Sequence, residues 1–192
     1  MLLKNKTIVV GISGSIAAYK TCGIIRLLIK EGSTVIPVMT KNATEFITPL
    51  TIQTLSKNRV YIDMFENNPI RDTVLQCDIC NEVEHISIAK KTNLLVIAPA
   101  TANVIAKISS GIADDALTTL VLSVNCPVVI CPAMNSSMYK NPVTQKNISE
   151  LKKIGYIFIG PEKGNLACGG DDIGRMSNPQ KIISEIKNII KI

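Results

Sequence analysis

The sequence predicts a doubly wound α/β fold, a mostly parallel sheet with helices on both faces. Short β-branched apolar runs alternate with helical patterns along the chain, and the inner runs, such as residues 94–98 (LLVIA) and 127–131 (PVVIC), have no polar face. A strand that is apolar on both faces needs cover on both sides, which the crossover helices of a parallel sheet supply. Size agrees: 192 residues fit one domain, 1–192, and a domain of that size buries roughly 70% of the surface its unfolded chain exposes.

The first strand is residues 6–12 (KTIVVGI), ending at Gly11 and Gly14. A helix follows over 15–31, with Ser15 near its start and Gly32 as its stop. Residues 33–39 (STVIPVM) form the second strand, followed by a polar turn and short helical patterns to about residue 57. Residues 58–84, with Asn67, Asn68 and Pro69, form a long excursion carrying a weak strand near 60. Helical patterns at 85–91, 101–108 and 114–124 flank the strands at 93–98 and 127–131. Asn141-Pro142 opens a helix over 142–154, because proline suits the first helical turn, and residues 156–159 (YIFI) are a strand. The last helix opens at Asn178-Pro179, with Ile182, Ile183, Ile186, Ile189 and Ile190 on one face.

Composition narrows the function. Hydrophobic residues at 46% against 19% charged describe a buried core rather than disorder. No apolar run approaches the roughly 20 residues of a membrane span. The opening MLLKNKTIVVGISGS enters a strand signal with no secretory core, so a cytoplasmic protein is expected. The six cysteines are then expected reduced, and the C-x-x-C of Cys77 and Cys80 has no second pair to complete a zinc site, so no metal is expected. The net charge of +6 is scattered and aromatics are 4%, which disfavours nucleic acid. An anionic small molecule or a solvated surface explains the charge.

Chemistry-bearing segments fall at strand ends, where ligands bind in such sheets. GISGSIAAYK (11–20) is a strand-to-helix turn of the kind that cradles phosphate, although a glycine that merely bends the chain reads the same way. Ser13 and Ala17 stand where the dinucleotide fingerprint needs its second and third glycines, so one phosphate suits this turn better than two. In APATANVIAKISSGIADDALTTLVLS (98–123), Thr101 and Asn103 are either ligand contacts or helix caps. In CPAMNSSMYKNP (131–142), Asn135 is either a carboxylate-binding amide or a turn residue. GNLACGGDDIGRM (164–176) reads as a mobile loop over a site, with Cys168 at its centre. His85, the only histidine, can act as a general base if it faces the site.

Taken together, GSIAAYK, PATANVIAKISSGIADD, PAMN and LACG resemble the homo-oligomeric flavin-containing cysteine decarboxylases, in order and over nearly the whole chain, and more closely their phosphopantothenoylcysteine decarboxylase branch. The resemblance implies a Rossmann-like, flavodoxin-like fold, non-covalent FMN, and assembly as trimers or a dodecamer of trimers with sites shared between neighbouring copies. By motif position it places FMN contacts on Gly14, Ser15, Ile16, Thr40, Thr101, Ala102, Asn103 and Ala133. Substrate contacts fall on Asn135, Met138, Leu166 and Ala167, with His85, Asn135 and Cys168 catalytic. The implied reaction oxidises the cysteine thiol to a thioaldehyde, which accepts the electrons released with carbon dioxide. Reduced flavin then returns a hydride and Cys168 supplies a proton, giving 4′-phosphopantetheine.

The chain departs from the family pattern at Val104, where a hydroxyl residue is common, and over residues 66–84, which align poorly. Relatives often carry a C-terminal ligase, so a fused or separate phosphopantothenoylcysteine synthetase is an expected partner. Competing readings are a peptidyl-cysteine decarboxylase of antimicrobial peptide maturation, a non-catalytic regulatory relative, and a dinucleotide oxidoreductase. The intact LACG string favours the first branch, because peptide decarboxylases stop at the enethiol and need no proton donor there.

Overall fold

The computed structural model describes residues 2–64, 84–165, 167 and 169–191. Five strands form a parallel sheet: β1 (Thr7–Ile12), β2 (Thr34–Met39), β3 (Leu94–Ala100), β4 (Val128–Pro132) and β5 (Ile157–Phe158), in the order β2-β1-β3-β4-β5. The helices are α1 (Ala18–Lys30), α2 (Pro49–Ser56), α3 (Glu84–Lys91), α4 (Ala102–Ser109), α5 (Ala116–Ser123), α6 (Ser136–Lys140), α7 (Pro142–Lys153) and α8 (Pro179–Lys191). A two-stranded antiparallel ribbon, β6 (Glu162–Asn165) and β7 (Asp171–Arg175), stands apart from the sheet. This is the flavodoxin-like doubly wound arrangement that the alternating pattern predicts.

Strand geometry explains why β3 is apolar throughout. Successive side chains point to opposite faces. Leu94, Val96 and Ala98 join one core with Ile24, Ile25 and Leu28 of α1, Ile52 of α2 and Ile182, Ile183 and Ile186 of α8. Leu95, Ile97 and Ala100 join the other, with Ala89 of α3, Ile105 and Ile108 of α4, Leu117 and Leu120 of α5, and Ile148 and Leu151 of α7. The sheet therefore has two cores, and α1 and α3 lie on opposite sides of it.

Three sequence expectations change. Helix α1 begins at Ala18 rather than at residue 15, because residues 14–17 are taken up by bends and turns. Residues 164–176 are not an open loop: most of them pair as the β6–β7 ribbon. Residues 136–140, to which the sequence pattern assigns no element, form α6. The weak strand near 60 is a single bridge, Val38 to Tyr61, and most of the excursion that follows lies outside the described residues. Among the described residues, no helix is long and apolar enough to cross a membrane.

Candidate functional site

Strand order reverses direction between β1 and β3, and the site is built where these two strands end. Ser13, fully buried, stitches the ends together. Its Oγ donates to the Pro99 carbonyl at 2.8 Å and accepts from the Thr101 N–H at 3.1 Å. A glycine in the second fingerprint place would leave those two groups without this side chain. The serine thus ties the end of β1 to the end of β3.

The turn after Ser13 is tightly packed. A Cβ on Gly14 would sit 2.7 Å from the Asn42 Cβ and 2.9 Å from the Asn42 carbonyl oxygen, so only bare backbone fits there. Helix α1 has no side-chain cap, and the Ser15 Oγ accepts the Ala17 N–H at 3.3 Å. Its N-terminus, the positive end of the helix dipole, is therefore left without a carboxylate or amide partner. The Thr40 side-chain oxygen, at the end of β2, is buried and has no hydrogen-bond partner in the protein. Such an orphan costs about 1–3 kcal/mol unless something else bonds it.

Beside the turn lies a cleft of about 490 Å³, lined by Ser15, Ile16, Ala17, Tyr19, Lys20, Ala133, Met134, Asn135, Asn165, Ala167, Gly174, Arg175 and Met176. One wall is α1, the second is the turn from β4 into α6, and the third is the ribbon. Ile16 and Tyr19 stand exposed at its lip, 59% and 62% accessible, a contact surface for a flat apolar group. Asn135 caps α6, its Oδ1 accepting from the Ser137 N–H at 2.8 Å.

The ribbon is fastened to this turn. The Met134 N–H donates to the Gly174 carbonyl at 3.0 Å, and a Cβ on Gly174 would come within 2.2 Å of the Met134 oxygen. Lys140 of α6 pairs with Asp172 of β7 at 2.5 Å, which holds the Asp172 carboxyl below the usual carboxylate range. Lys20 donates to the Met176 carbonyl at 2.9 Å. Burial, then the nearby Arg175 charge, pushes the Lys20 ammonium below the ordinary lysine value, with Glu162 opposing.

The structure brings Ser15, Ile16, Ala133, Asn135 and Ala167 together around the cleft, with Gly14 adjoining it in sequence. Thr101 caps α4, its hydroxyl oxygen accepting from the Val104 N–H at 3.3 Å, so the cap reading holds for this residue. Ala102 and Asn103 form the first turn of α4, and Met138 stands half exposed on α6; none of these lines the cleft. Nor does His85. It is the second residue of α3, on the side of the sheet away from α1, and its buried Nδ1 has no hydrogen-bond partner. Leu166, Cys168, Cys77 and Cys80 lie outside the described residues.

Sequence reasoning missed Tyr19, Lys20 and Arg175. The first two had a signal: they follow the candidate residues Ser15 and Ile16 closely in the chain, in the first turn of α1. Arg175 had none, because only the ribbon's pairing carries it to the cleft.

A doubly wound sheet with a tight glycine turn after β1 and a cleft between α1, the β4–α6 turn and a ribbon defines a narrow class. The Flavoprotein family pattern matches residues 2–191, and this chain is a member of that family. The coenzyme A biosynthesis bifunctional protein CoaBC of Borreliella burgdorferi is 47% identical over 185 residues, 96% of this chain and 45% of that protein. The chain thus spans under half the length of the bifunctional relatives it matches. The probable phosphopantothenoylcysteine decarboxylase of Streptococcus mutans is 41% identical over 185 residues, covering 95% of this chain and 98% of that protein. Among solved structures, a PPC decarboxylase mutant complexed with pantothenoylaminoethenethiol superposes with a TM-score of 0.80 at 28% identity, over 97% of this chain and 99% of that one. The FMN-dependent cysteine decarboxylase SpaF gives the same TM-score at 26% identity, over 100% and 98%.

Proposed function

We propose that this chain removes the carboxylate of 4′-phosphopantothenoylcysteine to give 4′-phosphopantetheine, with FMN as cofactor, in coenzyme A biosynthesis. The observation that carries this reading is the pairing, on facing walls of one cleft, of the Asn135 amide with a one-phosphate turn. The 41–47% identity to coenzyme A biosynthesis proteins supports this substrate over a peptide, a choice the fold cannot make, since it superposes equally well on SpaF.

The residues present fit FMN. The orphaned Thr40 hydroxyl, the bare Gly14 backbone and the uncapped start of α1 offer donors for one phosphate, and Ile16 and Ala133 offer apolar contact for the ring. When bound, the flavin supplies a two-electron oxidation and its return.

The protein's own part is to bind, orient and protonate. Asn135 donates to the substrate carboxylate without adding charge, so the carboxylate is held but not stabilised as an ion pair that would resist its departure. Tyr19 and Ile16 exclude water from the reacting cysteine. Cys168 gives the proton that completes 4′-phosphopantetheine, so the overall reaction consumes one proton, releases carbon dioxide and is redox-neutral. His85 serves as base in the site of a neighbouring copy, which accounts for its place across the sheet from its own chain's cleft. The working form is then a homo-oligomer built on trimers. A phosphopantothenoylcysteine synthetase, fused or separate, supplies the substrate.

Mass spectrometry of the product from phosphopantothenoylcysteine tests the reading. Loss of one carbon dioxide without net oxidation is expected, and Cys168→Ser is expected to accumulate the oxidised enethiol. An FMN-loaded protein that leaves this substrate untouched but decarboxylates a cysteine-terminated peptide would replace it.

A further inference from the structure

Beyond Ile97, β3 loses its regular partners. Its register with β1 ends at Gly11–Ile97, and its register with β4 shifts between Ile97 and Ala100. The carbonyls of Ala98 and Pro99 fall in this gap, and side-chain hydroxyls take them up, as buried backbone groups require. Thr21 of α1 is fully buried, and its Oγ1 donates to the Ala98 carbonyl at 2.5 Å. Ser13 donates to the Pro99 carbonyl and accepts the Thr101 N–H. One backbone bond crosses the same gap, from the Ser13 N–H to the Pro99 carbonyl, but at 3.3 Å it is longer than the 2.8 Å of the hydroxyl. Pairing then resumes, with the Ala133 N–H donating to the Ala100 carbonyl at 2.9 Å.

The segment from Ala98 to Thr101 is thus a junction. Thr101 opens α4 as its cap, and Ala133, two residues before Asn135, hangs on the Ala100 carbonyl. The two hydroxyls reach the junction from the other side, from the turn that leads into Gly14 and from α1, one wall of the cleft. Neither Ser13 nor Thr21 lines that cleft. Ser13 is buried and its proton is committed to Pro99, so it acts on a ligand through its neighbours. Without the Ser13 hydroxyl, the Thr101 N–H would have to find another partner, and the first turn of α4 would move with it.

We propose that Ser13, supported by Thr21, is a positioning residue of the flavin site: it sets where the first turn of α4 and the end of β4 stand relative to the Gly14 turn. This assignment rests on the proposed function above for the identity of the flavin. It goes beyond that reading by giving a role to two residues that hold no ligand themselves.

The test titrates flavin-free protein with FMN, read by flavin fluorescence well below the melting temperature. Ser13→Ala is expected to weaken FMN binding about 10-fold, the size of one hydrogen bond. Thr21→Val, which keeps the shape and loses the bond, should weaken it about threefold, and Thr21→Ser should restore it. Ser33→Ala is the control. Ser33 is also buried, and its Oγ donates to the Leu28 carbonyl at 2.8 Å at the amino edge of the sheet, so its loss costs stability without touching the junction. Its FMN affinity is expected within about twofold of wild type. An affinity unchanged in folded Ser13→Ala overturns the assignment, because the junction then does not reach the flavin. An equal loss in Ser33→Ala overturns it too, because the effect is then one of stability alone. Should Ser13→Ala not fold, the same comparison is read from Thr21→Val against Thr21→Ser. If the variants rank as expected but wild type leaves phosphopantothenoylcysteine untouched, the proposed substrate fails and the positioning role stands.

Discussion

The two ends of the sheet carry hollows of nearly equal size, about 490 Å³ at the carboxyl edge and about 480 Å³ at the amino edge. Only the first is built as a site. The amino-edge hollow is lined by Ile86, Ala89, Lys90, Thr92, Ser123 and Asn125, and is the more polar of the two. Its hydroxyls are committed to their own helices, Thr92 to the Ile88 carbonyl at 2.7 Å and Ser123 to the Thr119 carbonyl at 2.8 Å. At the carboxyl edge the Thr40 hydroxyl has no protein partner and α1 is uncapped. Volume does not distinguish the two hollows. Groups whose bonding is left incomplete by the protein do, because burying them is unfavourable unless a ligand completes them.

The largest effect is expected at Asn135. Asn135→Asp keeps an oxygen to accept the Ser137 N–H, so α6 and the fold persist, but it sets a negative charge against the substrate carboxylate. Turnover at low substrate should fall by about 100-fold or more, a charge-repulsion effect of the size seen when like charges share a site. Steady-state kinetics with a matched melting curve would check this, and unchanged turnover would remove Asn135 from the site.

A smaller and two-signed effect is expected at Thr40. Thr40→Val removes the orphaned hydroxyl while keeping the β-branched shape. The flavin-free protein should be as stable as wild type or more so, and FMN affinity should fall by about 10-fold for one lost hydrogen bond. Calorimetric unfolding and flavin titration together read both signs. If both fall, the hydroxyl serves the protein rather than the ligand.

The smallest effect is expected at the amino edge, where Ser123→Ala breaks only a bond to the hydroxyl's own helix. Flavin content and kcat/KM should stay within about twofold of wild type, as for most substitutions away from a site. A marked loss would show that the amino-edge hollow is functional and would undo the contrast between the two ends.

Sequence pattern reached most of the fold. The apolar runs of β3 and β4 and the isoleucine face of α8 are local signals, and each element lies within a few residues of its expected place. The ribbon escaped because Glu162–Asn165 and Asp171–Arg175 have no apolar alternation; their pairing is fixed by glycines and by attachment to Met134. The start of α1 was misplaced because a serine in a bent turn looks, in sequence, like a helix cap.

The sequence by itself determined the class of sheet and pointed to the turn after β1 and to Asn135 as candidates, because each depends on residues adjacent in the chain. Only the tertiary structure decided that Lys20 and Arg175 meet, that Thr40 is left without a partner, and that His85 lies across the sheet from the cleft. These are facts about which strand ends and helix starts are neighbours in space. The winding order of the sheet sets them, and no local pattern records it.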